Sequence, residues 1–209
     1  MYNCGICAVH ACRSGEKDKM PANCPCRDDE TEKSGELYKE EENLLIANSS
    51  ALVEALGYCK LTRIEEIMDF ARRCGYKKLG VAFCIGLHEE MKMLSKILVH
   101  NGFEVESVVC KNGSIPKSHI GISPEEQIRK GCEFEAMCNP IGQALLLNKA
   151  DTDLNLIFGL CVGHDSLFIK YSNAPVTVAA AKDRVLGHNP MAAIYQAESY
   201  YKDRMFPEK

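Results

Sequence analysis

The 209-residue chain lacks most of the signals by which a sequence declares its function. It has no excess of basic residues: 25 Lys and Arg stand against 29 Asp and Glu, for a formal net charge of −4. A broad nucleic-acid-binding surface is therefore not expected. No stretch of about 18 consecutive apolar residues occurs, which argues against a membrane span. The opening Met1-Tyr2-Asn3-Cys4 has no basic-then-apolar leader, so a cytoplasmic chain with reduced thiols is expected. No G-x-G-x-x-G follows the first predicted strand and no G-x-x-x-x-G-K-[ST] occurs anywhere, which argues against a dinucleotide site and a P-loop. Ser166 stands in G-H-D-S-L rather than in a G-x-S-x-G elbow, which argues against a hydrolase triad. There is no repeat at solenoid spacing and no low-complexity linker.

What the sequence does have is cysteine, twelve in all, in a chain that is 46% hydrophobic and 26% charged. That balance suits a globular domain with a small appendage. Reduced cysteines in such a chain are either metal ligands or small buried hydrophobes. Five of them, Cys4, Cys7, Cys12, Cys24 and Cys26, crowd into a stretch too poor in large apolar residues to form a core. Residues 1–33 therefore read as a cysteine-rich metal-binding segment, and residues 34–209 as an α/β domain led by two helices.

The first helix carries Leu37, Leu44, Leu45, Leu52, Ala55 and Leu56 near a helical period and ends at Gly57. The second begins at Thr62, with Glu65 completing a capping box and Gly75 beyond the last turn. From Lys78 the pattern alternates. KLGVAFCIG, FEVESVVC, LNLIFGLC and APVTVAAA read as strands, the first as a buried parallel one. Helices are expected over Leu87 to His100, from Ser123-Pro124, from Asn139-Pro140, near Asp165 to Lys170, and from Asn189-Pro190 to about Tyr201. This alternation predicts a small, mostly parallel sheet with helices on both faces, a Rossmann-like three-layer arrangement.

Two cysteine groups follow. In the first, Cys4 and Cys7 have the C-x2-C bite, with Cys12, Cys24 and Cys26 as further ligands and His10 as a sixth candidate. Zinc is the expected metal, ahead of an iron–sulfur cluster; the competing reading is a disordered or disulfide-linked tail. In the second, Cys84, Cys110 and Cys161 fall at the carboxyl ends of predicted strands, where parallel α/β folds bind ligands. Cys132 and Cys138 lie in the connection between the second and third strands. Together these five are expected to hold a cofactor such as a [4Fe-4S] cluster, although each alone also reads as a core residue. His164, Lys182 and His188 are the candidate catalytic groups at that edge. Each has a bland counterpart as a cap or a solvated turn.

On the opening CGICAVHAC with its later CPC, on CNPIGQALLLN and on GLCVGHDSLFIKYSNAPVTVAAAKDRVLGHNP, the chain resembles an uncharacterised cysteine-rich family of anaerobic microbes described only as metal-binding. The resemblance spans nearly the whole chain. It implies metal binding, with no reaction and no residue roles. The sequence thus leads to a metal-binding protein, an iron–sulfur or zinc enzyme with its site at the sheet edge. The alternative is a non-enzymatic, metal-stapled binding or carrier protein. An anionic small molecule is the expected partner, and neither a membrane nor nucleic acid is.

Overall fold

A computed structural model describes residues 2 and 4–208. The chain divides into two compact units, Met1–Cys59 and Lys60–Lys209.

The first unit begins with short helical turns at Cys4–Ile6, Lys17–Lys19 and Pro25–Arg27 around a one-turn helix α1 (Ala11–Ser14), whose Ala11 is buried. Helices α2 (Asp29–Leu37) and α3 (Glu41–Gly57) follow. The apolar period predicted one helix here, and the structure breaks it. Glu40 is extended, and the Asn43 amide donates to the Leu37 carbonyl at 3.0 Å, satisfying the end of α2. The start of α2 is fixed by Asp28, whose carboxylate accepts the Glu30 N–H. The end at Gly57 is where the sequence puts it.

The second unit opens with α4 (Arg63–Arg73) on the expected capping box, Thr62 accepting from Glu65 and Glu65 accepting from Thr62. Then come β1 (Lys78–Phe83), α5 (His88–His100), β2 (Glu104–Val109), α6 (Pro140–Lys149), β3 (Leu154–Phe158), α7 (His164–Tyr171) and β4 (Val176–Ala180). Two short helices, α8 (Met191–Tyr195) and α9 (Lys202–Met205), close the chain. The Ser123-Pro124 start yields only the turn Pro124–Glu126. The long last helix is also not formed: neither α8 nor α9 has a buried residue, so no packed face sustains a helix through the intervening turns.

The four strands form one parallel sheet in the order β2-β1-β3-β4, flanked by helices in a Rossmann-like arrangement. Side chains alternate across it. Leu79, Val81 and Phe83 of β1 and Leu154 and Leu156 of β3 pack on one face against Ile67, Met68 and Ala71 of α4 and Met91, Leu94 and Leu98 of α5. Ala82 and Ile157 pack on the other against Ala144 and Leu147 of α6 and Phe168 of α7. The chain moves one way from β1 to β2 and the other way from β2 to β3, so right-handed crossovers demand that α5 and α6 cover opposite faces.

One close approach sets the spacing on the second face. Asn155, fully buried in β3, accepts from Thr152 Oγ1 and donates to Ser172 Oγ, both at 2.8 Å. Its amide lies against Gly80 in the neighbouring β1, where any Cβ would collide with Asn155 Oδ1. Gly80 is thus the space that a buried asparagine, hydrogen-bonded at both its oxygen and its nitrogen, occupies.

Candidate functional site

Strand order reverses at the β1/β3 pair, and the crevice beyond the carboxyl ends of those strands is where a fold of this kind receives ligands. The second cysteine group lies there. Cys110 N–H donates to Phe83 O at 2.9 Å and Cys84 N–H donates to Phe158 O at 3.2 Å, so both residues continue the parallel ladder one step past Phe83 and Val109. Cys84 and Cys110 are buried, on the α6/α7 face. Cys138, half-buried, joins them just before α6.

Cys138 is held by a clasp between two loops. The Asn112 amide donates to Val109 O and Asn139 O, each at 2.9 Å, and the Asn139 amide donates to Asn112 Oδ1 at 3.0 Å. Asn139 N–H donates to Cys110 O at 2.7 Å, laying the Cys138 peptide against Cys110. Asn139 also caps α6, its Oδ1 accepting from Gly142 N–H at 2.9 Å. Beneath the clasp, fully buried Gln143 donates to Phe83 O at 3.2 Å and Val108 O at 2.6 Å, bridging β1 and β2 at their carboxyl ends.

The three thiols form a hydrogen-bonded line with Cys110 in the middle. Bonds to Cys138 and Cys84, reinforced by burial, push the Cys110 thiol far above the usual range. The bond from Cys110 draws Cys84 down to about 4, aided by the Gly86 N–H and Lys182 and opposed by burial. The same kind of bond draws Cys138 down to about 5, with Lys111 and the nearby His164 imidazole also lowering it and burial opposing them. One proton on Cys110 serves one neighbour at a time, so the three titrate as a unit. Ile85 N–H also points at Cys110 Sγ, at 3.3 Å.

Cations surround this line. A Cβ on Gly86 would lie 3.8 Å from Cys84 Sγ and 3.9 Å from Lys182 Nζ, and one on Gly159 would lie 3.8 Å from Lys182 Nζ, so the ammonium sits over both strand ends. Gly159, at φ 69, ends β3 and admits the Leu87 side chain where a Cβ would collide with it. This is why β3 stops at Phe158 and Cys161 stands beyond the strand. Cys161 Sγ accepts from Arg184 Nη2 at 3.1 Å, which raises the Arg184 pKa further. Lys111 Nζ donates to Ala136 O at 2.6 Å.

The structure therefore groups Cys84, Cys110, Cys138, Cys161, His164, Lys182, Arg184 and the unforeseen Lys111. Cys132 sits in the loop before Ala136, its backbone N–H on Arg129 O at 3.1 Å, outside the line of bonded thiols. His188 closes a turn: its Nδ1 accepts Asp183 N–H at 3.1 Å and its own N–H donates to Asp183 O at 2.8 Å.

The metal expectation is corrected at both groups. Among the described residues, no three His, Cys, Asp or Glu side chains are grouped so as to hold a metal ion. At the sheet edge, Cys84, Cys110 and Cys138 bond in series and Cys161 is taken by Arg184, which is not four sulfurs around a common centre. In the N-terminal segment, Cys4, Cys7, His10, Cys12, Cys24 and Cys26 line one small concavity. There the free thiol of Cys26 hydrogen-bonds with Cys24 and Cys12, which raises its pKa, and Cys7 accepts the His10 and Val9 N–H groups, which lowers its pKa. Neither zinc nor a [4Fe-4S] cluster fits these side-chain arrangements, and the metal-binding, zinc and iron–sulfur readings fall with them.

Fold and site together define a parallel α/β protein with a thiol-rich, cation-flanked crevice at its topological switch point. The chain belongs to the family described as protein of unknown function (DUF1847), whose model matches residues 24–179. It is 50% identical over 206 residues to the uncharacterized protein MJ0455 of Methanocaldococcus jannaschii, covering 99% of each chain. No solved structure matches it. Among the described residues, no helix is long and apolar enough to cross a membrane.

Proposed function

We propose that the protein is a binding or carrier protein that takes a small, anionic, thiol-reactive molecule at the carboxyl edge of its sheet. One observation carries this reading: a line of three bonded thiols ends in half-buried Cys138, with Lys111 and His164 beside it. Cys138 is the thiolate that meets the ligand, and Lys111, Lys182 and Arg184 supply the positive charge that draws an anion in. Buried Cys84 and Cys110 stand behind it and tune it.

The test is competitive alkylation of the reduced protein by iodoacetate, which is anionic, and by iodoacetamide, its neutral counterpart. Exposed Cys59 serves as the internal reference. The iodoacetate-to-iodoacetamide rate ratio at Cys138 is expected to exceed that at Cys59 by at least about threefold at low salt. Replacing Lys111, Lys182 and Arg184 together by Gln should bring the two ratios together. Equal ratios in the unaltered protein would overturn the reading.

A further inference from the structure

The geometry points to a specific ligand class for this site: we propose that Cys138 and Cys110 form a reactive dithiol that exchanges with a small, carboxylate-bearing disulfide. This rests on the reading of the crevice as an anion-drawing thiol site and says what the bound molecule is and what becomes of it.

Three placements support the pair. Cys138 is half-buried while Cys110 is buried, so an incoming disulfide meets Cys138 first. The bond from Asn139 N–H to Cys110 O at 2.7 Å and the clasp between Asn112 and Asn139 set the two backbones side by side, and Cys138 packs against the buried cluster that holds Cys110. Cys84 packs with Cys110 in the same buried cluster, next in sequence to Ile85, whose N–H bonds Cys110 Sγ, and is a neighbour able to take a proton.

The Cys138 thiolate attacks one sulfur of the small disulfide, forming a mixed disulfide and releasing the first small thiolate. The Cys110 S–H proton passes to the Cys84 thiolate. Cys110 sulfur then attacks Cys138 Sγ, forming the Cys110–Cys138 disulfide and releasing the second small thiolate. The pair loses two electrons, and the small disulfide gains them. One proton moves from Cys110 to Cys84. Lys182 over the strand ends and Arg184 on Cys161 offset the carboxylates of the incoming molecule.

The experiment uses oxidised glutathione as the probe on the reduced full chain. The reaction is quenched with acid, free thiols are alkylated, and peptides are mapped by fragmentation. The expected result is a Cys110–Cys138 cross-link without lasting glutathione on Cys138. Cys110→Ser, with Cys110→Ala as a second variant at the same buried position, should instead retain glutathione on Cys138, at least about tenfold more than the unaltered protein. The cross-link in the unaltered protein is read without any variant, so a folding defect in either one does not blunt the test. A glutathione adduct that persists on Cys138 in the unaltered protein, or a cross-link confined to other cysteines, overturns the dithiol. If that happens while the alkylation preference for iodoacetate stands, the dithiol alone is wrong; if the preference is absent too, the ligand site itself is wrong.

Discussion

Cys84 and Cys138 flank one protonated thiol, yet their fates differ because Cys138 meets solvent and Cys84 does not. For Cys138 the sign of the pH effect is fixed by the downward shift. An acid whose pKa is lowered to about 5 is a thiolate above that value and a thiol below it. Alkylation of Cys138 should therefore be half-maximal near pH 5 and level by pH 7, where an ordinary thiol with a pKa of about 8.5 is still climbing. The profile follows from rates measured between pH 4 and 9, and a midpoint above 8 would show that neither Cys110 nor Lys111 acts on it. At this scale the sequence was informative about position and poor about partners. Cys84 and Cys110 were readable as strand-end residues, and Cys138 as the residue before a helix, because the apolar runs before the first two and the Asn139-Pro140 start are local signals. Gln143 was not, because a glutamine among apolar helix residues gives no sign that two strand carbonyls await it. The partnership of Asn112 with Asn139 is equally silent, being purely tertiary.

Helices and strands answer to different controls here. The α4 start rests on Thr62 and Glu65, so Thr62→Ala should lower the unfolding free energy by about 1 kcal/mol in denaturant titration. Leu156 is wholly buried between the sheet and α4 and α5, so Leu156→Ala should cost about 2–5 kcal/mol. Gly80→Ala should be worse than its single methyl suggests, because the added carbon competes with Asn155 Oδ1 for one position. Loss of soluble folded protein, or a melting temperature well below that of Leu156→Ala, is the expected outcome. Element types in the α/β region were legible from apolar period and capping residues. The break between α2 and α3 was not, because the apolar spacing runs on through it while Asn43 folds back onto Leu37. The C-terminal helix was overextended for the opposite reason: a good start signal at Asn189-Pro190 is followed by no face to bury.

Across the whole molecule, burial is unevenly shared. Leu79, Val81, Ala82, Leu154, Leu156 and Ile157 are at most 1% exposed, whereas in the described residues before α3 only Ala11 is buried. Amide hydrogen exchange should therefore be slowest in β1 and β3 and fastest in the turns between Cys4 and Arg27. Comparable protection in those turns would mean that something beyond the side-chain contacts described orders them. The overall charge of −4 makes the positive crevice a local exception, so its preference for anionic reagents should fade as salt is raised toward 1 M. The iodoacetate ratio at Cys138 reads this directly, with iodoacetamide as the salt-indifferent control.

The clasp of Asn112 and Asn139 has a further consequence, best expressed as a concentration. Two thiols on separate loops would meet only as often as those loops wander together. Paired amides and a shared helix cap tie the loops that carry Cys110 and Cys138 together, and well-oriented intramolecular neighbours reach effective molarities on the order of 10^5 M or more. No dissolved thiol can compete with that. Two asparagines that never touch the ligand thereby decide whether a sulfur captured at Cys138 stays there or is handed inward.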